Sequence, residues 1–121
     1  MATATLEKAE VSVGRDPDTV EADMTIIRRH LRRKIVIEWT GQDEGCFLGI
    51  FKVGQKEWQA SLEYREKYDC YRFMFWITEE HSSNIARRMD VTAKNPYTLC
   101  NDVIAVVSTL RLIQRLDLEQ D

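Results

Sequence analysis

A change in hydrophobic period constrains this chain more than any other feature. From Val20 to Leu31 apolar residues recur every three or four positions; from Ile35 to Thr78 they recur at every second one. The first period belongs to a helix that buries one stripe, the second to strands that bury one face. The clearest strand is EWQASLEYR (57–65), where Trp58, Ala60, Leu62 and Tyr64 point in and Glu57, Gln59, Ser61 and Glu63 point out. KIVIEWT reads as a strand before it, with Ile35, Ile37 and Trp39 on one face. CFLGIFKV is apolar on both faces. CYRFMFWIT places Tyr71, Phe73, Phe75 and Ile77 on the core face. The turns between them (GQDEG, GQK, EKYD) are short, and short turns join antiparallel neighbours.

Helices flank these strands. Asp16 suits an N-cap and Pro17 the first helical position, and Asp18 and Glu21 favour the positive end of the dipole. Val20, Met24, Ile27 and Leu31 form one apolar stripe, and the helix is expected to end near residue 34 among cations. Asn95 and Pro96 repeat the start signal for a last helix running to about Leu116. EEHSSNIARRMD (79–90) reads as a polar loop or a short helix beginning near Ser82 or Ser83. Residues 1–15 read as a flexible tail, with EVSV able to add an edge strand. The expectation is one α+β domain over residues 16–121: an N-terminal helix, a four-stranded antiparallel meander sheet and a C-terminal helix.

Length and composition agree. A chain of 121 residues, 44% hydrophobic and 31% charged, has enough apolar residues for one core without metal or disulfide support. Its three cysteines match no zinc or CxxC spacing and read as reduced thiols. With no signal-like start and no membrane-length apolar run, the expected location is cytoplasmic.

The functional argument begins at RRHLRRK (28–34), five cations and a histidine in seven positions of a chain whose net charge is −3. On a helix Arg28, Arg29, Arg32 and Arg33 share an arc of roughly 140° away from the apolar stripe. No acid precedes any of them by four residues, so the helix does not neutralise its own band. Such a band is either a solvated helix face or a hand for an anion, and the net acidity weighs against nucleic acid. A second surface comes from strand alternation. With Phe73 and Phe75 inward, Arg72, Met74 and Trp76 share the opposite face, and Phe47 and Phe51 are expected to join them. A third is the last helix, where Leu99, Val103, Val106, Val107, Leu110 and Ile113 form a core side. Ala105, Leu112 and Leu116 form a second stripe, which suits a symmetric homodimer.

Catalytic signals are weak. His81 follows two glutamates and precedes two serines, but consecutive residues rarely converge on one reacting atom. There is no HExxH, no phosphate loop and no metal-spaced cluster, so no catalytic residue, metal or cofactor is assigned. The reading is a non-enzymatic, regulatory protein that binds another protein, an acidic one among the candidates, through Arg28, Arg29, Arg32, Arg33, Arg72, Met74 and Trp76. It dimerises through Ala105, Leu112 and Leu116. The alternatives are an RNA or single-strand binder using the basic helix, and a small-ligand or nucleotide binder with a pocket between helix and sheet.

Overall fold

The computed structural model describes residues 14–78 and 85–120. Helix α1 (Pro17–Lys34) leads into an antiparallel meander of β1 (Glu38–Asp43), β2 (Cys46–Val53), β3 (Lys56–Arg65), β4 (Cys70–Thr78) and β5 (Ile85–Ala93), and helix α2 (Pro96–Gln120) closes the chain. The fold is α+β as expected, but the sheet has five strands in the order β1-β2-β3-β4-β5. The stretch read as loop or helix supplies the fifth. Its Met89, Val91 and Ala93 pair with Phe75, Phe73 and Tyr71 and extend the core face. Two adjacent arginines and an aspartate, Arg87, Arg88 and Asp90, hide that strand from a hydrophobicity reading, as charge often does on edge strands. Ser82 and Ser83 lie outside the described residues, as do the residues of EVSV.

Both helices lie on one face of the sheet, side by side. Met24, Ile27 and Leu31 of α1 and Leu99, Cys100, Val103 and Val107 of α2 meet Phe51, Trp58, Leu62, Tyr71, Phe73 and Phe75 in one buried cluster. The aromatic centre is continuous: Phe75 packs 5.5 Å from both Phe51 and Trp58, and 5.6 Å from Phe73. Phe51 pairs across from Trp58, and Phe47 across from Leu62. Both phenylalanines therefore face the helices, which corrects the expectation that they join Trp76. Leu48 and Ile50, one residue out of phase, take the opposite face instead. Gly49 has a packing reason: a Cβ there would come within 3.0 Å of Ile37, of Trp39 and of the Glu38 carbonyl oxygen.

The ends of the elements are fixed by specific groups. Asn95 caps α2, its Oδ1 accepting from the backbone N–H of Tyr97 at 2.8 Å and of Thr98 at 3.2 Å. Asp16 occupies the N-cap of α1 without a side-chain capping bond. Ile35 ends the helix and does not begin the strand: its N–H donates to the Leu31 carbonyl at 2.9 Å. Val36 then turns the chain with φ 58°, and β1 starts at Glu38. Arg111 of α2 locks this corner by donating to the carbonyls of Ile35 at 2.7 Å and Lys52 at 2.9 Å. Glu44 and Gly45, with φ of 50° and 84°, make the two-residue turn between β1 and β2, so the strand runs further into GQDEG than expected.

Candidate functional site

The helices cover one face of the sheet; no described element covers the other. Two cross-strand rows cross that open face, Leu48–Ser61–Met74–Asp90 and Ile50–Gln59–Trp76–Arg88. Leu48, Ile50, Met74 and Trp76 are all part-exposed. They make an apolar strip over β2 and β4, interrupted on β3 by Ser61 and Gln59. The alternation that sends Phe73 and Phe75 to the core thus delivers Met74 and Trp76 to this face, as expected.

Arg72 belongs to the same face but is already engaged. Its Nε lies 3.0 Å from the Glu63 carboxylate, off the N–H axis, so the contact is an ion pair and not a formed hydrogen bond. Asp90 lies 3.9 Å from its other arm and receives Arg88 at 3.1 Å. The acids and bases of β3, β4 and β5 satisfy one another beside the apolar strip. Arg72 therefore frames that strip more than it offers a spare charge.

The basic band divides. Arg29, Arg32 and Arg33 are exposed on α1 and make no ion pair among the described residues. Glu63 of β3 pairs with Arg72 and Arg65 instead. Arg28 departs from the band. It is half-buried, with its guanidinium 3.9 Å from the centre of the Phe47 ring. On a helix Arg28 stands only about 40° from Met24, so it borders the apolar stripe and folds over it. Because α1 lies on the helical side of the sheet, the arginine band and the Trp76 strip face opposite ways and form two surfaces.

The outer side of α2 carries a third surface. Leu112 and Leu116 are each 46% exposed, Ile113 is 49% exposed, and Ala105 lies exposed on the same side. Ile113, expected in the core, joins this outer stripe, whereas Val106 and Leu110 pack against the core. The last turns of α2 thus present aliphatic side chains outward, which a solvated helix end does not require.

One constellation has no counterpart in the sequence reading. Arg15 ties the start of α1 to the sheet: its backbone N–H donates to the Tyr64 hydroxyl at 2.9 Å, and its guanidinium lies 3.2 Å from Asp69 and 3.5 Å from Asp23. Tyr64 donates to Asp69 at 2.7 Å and Tyr71 to Asp23 at 2.5 Å. Burial, with the Asp23 carboxylate beside it, pushes the Tyr71 hydroxyl well above its usual range, so it stays a donor. The two bonds that join α1 and its start to the sheet span 49 and 48 residues of sequence, so no local pattern betrays them. Each of the five side chains has a partner within the cluster, which marks it as a fold-closing network.

The cysteine environments follow from burial. Burial pushes the Cys100 thiol up to about 11, and burial with the nearby Glu63 raises Cys46 too, the opposite of activation. Among the described residues no group of three or more His, Cys, Asp or Glu is placed to hold a metal ion, and no helix is long and apolar enough to cross a membrane. His81 lies outside the described residues, and His30 sits half-buried on α1. The chain matches no family model, and no curated protein or solved structure is significantly similar to it.

Proposed function

We propose that this domain is a non-enzymatic protein-binding module that docks a partner protein on the open face of its sheet. One observation carries the reading: Leu48, Ile50, Met74 and Trp76 lie on a sheet face that no described element covers. A tryptophan flanked by aliphatic groups and rimmed by paired charges has the make-up of an interface anchor, where the ring supplies desolvation and the rim fixes orientation. Arg72 and its acids act in this reading as the polar rim. The outer stripe of α2 (Ala105, Leu112, Leu116) serves as a homodimer contact that leaves the sheet face free.

Trp76→Ala tests the reading. Partner proteins retained by the immobilised chain are lost, while the thermal midpoint falls by no more than about 5 °C. A collapse of the transition would make the ring a core residue and remove the basis of the proposal.

A second reading rests on the exposed, unneutralised Arg29, Arg32 and Arg33, which suit a phosphate backbone. It requires that Arg29→Glu with Arg32→Glu abolish RNA or single-strand binding, and that affinity fall steeply with salt. A flat salt dependence counts against it.

A further inference from the structure

A groove of about 780 Å³ runs between the N-terminal half of α1 and the β1–β2 hairpin. Val20, Met24 and Phe47 give it apolar walls, and Arg28 is the last α1 residue along it. The tie from the Trp39 indole N–H to the Arg28 carbonyl, 3.0 Å long, holds α1 against β1 beside this point.

Arg28 differs from the other part-buried arginines of the described chain. Arg15 meets Asp23 and Asp69, Arg65 and Arg72 meet Glu63, and Arg111 meets two backbone carbonyls. Arg28 has only the Phe47 ring and makes no ion pair among the described residues; its Nε, like that of Arg72, is buried without a formed hydrogen bond, but no carboxylate stands beside it. A ring face offsets part of the cost of withdrawing a cation from water, but it accepts no N–H. The guanidinium is held over the ring, with hydrogen-bonding capacity unspent beside the apolar walls of the groove.

We propose that this groove binds a small amphipathic monocarboxylate. The carboxylate sits on the Arg28 guanidinium, and the apolar body lies along Phe47, Met24 and Val20. Charge selects a monoanion: Arg15 is already matched by two carboxylates, and Glu21 and Glu66, which also line the groove, oppose a second negative charge. Size agrees, since the groove falls within the range of small-molecule sites. It lies on the helical side of the sheet, away from Trp76, so it stands independently of the docking face.

The test is a nitrogen–proton NMR titration of the full chain with 4-phenylbutyrate and with 4-phenylbutanol, its neutral counterpart. The acid is expected to shift the Arg28 Nε–H and the amides of Met24 and Phe47 saturably. The alcohol is expected to bind at least about tenfold more weakly, the usual margin for a charge-assisted bond. Arg28→Met, which leaves an apolar stem on Phe47, brings the acid down to the level of the alcohol. Glu21→Gln, a change outside the carboxylate contact, tightens the acid and leaves the alcohol alone. Equal binding of the two probes, shifts centred outside the groove, or no saturable shift at millimolar ligand would overturn the proposal. So would Glu21→Gln acting equally on both probes. An N-acetylated, amidated acidic tripeptide that outcompetes phenylbutyrate would overturn the small-ligand assignment in favour of a peptide.

Discussion

Replacing Tyr71 with phenylalanine removes one oxygen atom and probes the network that joins α1 to the sheet. The ring is fully buried, and its hydroxyl donates to Asp23 at 2.5 Å. A hydrogen bond to a charged acceptor contributes about 1.5–3 kcal/mol. Asp23 keeps Arg15 at 3.5 Å and a side chain 17% exposed to water, so the loss belongs at the low end, about 1.5 kcal/mol. With a urea slope of about 1.5–2 kcal/mol/M for a domain of this size, the midpoint falls by about 0.7–1 M. The pH dependence gives a second handle. Burial, then Asp23, holds the Tyr71 hydroxyl protonated in the fold above its unfolded value. Its contribution is therefore fully present below about pH 10 and is lost as pH rises toward the folded value. Once the unfolded tyrosine is ionised, each further pH unit costs the wild type about 1.4 kcal/mol from this group, and the phenylalanine variant has no such group. The gap between the two chains should close by about 1 kcal/mol between pH 10 and 11, because the unfolded tyrosine is only half ionised at pH 10. Urea melts at pH 7, 10 and 11 measure both effects. A midpoint unchanged at pH 7, or a gap that does not narrow by pH 11, would refute the role given to the hydroxyl.

Two further perturbations test other parts of the account. Val36 is a β-branched residue at φ 58° with 73% of its surface exposed. Val36→Gly releases about 1–3 kcal/mol of backbone strain against about 0.5–1 kcal/mol of added chain entropy. It should raise the thermal midpoint by a few degrees, and a lower midpoint would show that the side chain contributes packing. The double substitution Leu112→Glu with Leu116→Glu should convert a dimer to a monomer in light scattering while preserving helical circular dichroism; an unchanged mass would remove α2 from the interface.

The sequence carries the layout of this fold wherever one face of an element is plainly apolar. The stripe of α1, the alternation of β3 and β4 and the Asn95–Pro96 start of α2 are all local patterns, and the structure keeps them. β5 escaped because Arg87, Arg88 and Asp90 stand in its middle, although Met89, Val91 and Ala93 alternate with Arg88 and Asp90 in the strand period. β2 is apolar at successive positions, so its phase is ambiguous until Phe51 is paired with Trp58. Surfaces proved harder to read than elements. Arg28 looks like its neighbours on a helical wheel, and only the approach of β2 turns it onto Phe47. The cluster of Arg15, Asp23, Tyr64, Asp69 and Tyr71 draws on three separate stretches of chain that no periodicity links.

The proposed docking of a partner on the open sheet face is tested most directly by photo-crosslinking in the cells that make the protein. A benzophenone amino acid is placed at Ile50 on the open face, and in a second chain at the exposed Lys67 of the turn before β4. The account predicts a discrete protein adduct from position 50 that disappears when Met74 is changed to Glu, and none from position 67. No adduct from position 50, or one indifferent to Met74→Glu, would contradict it.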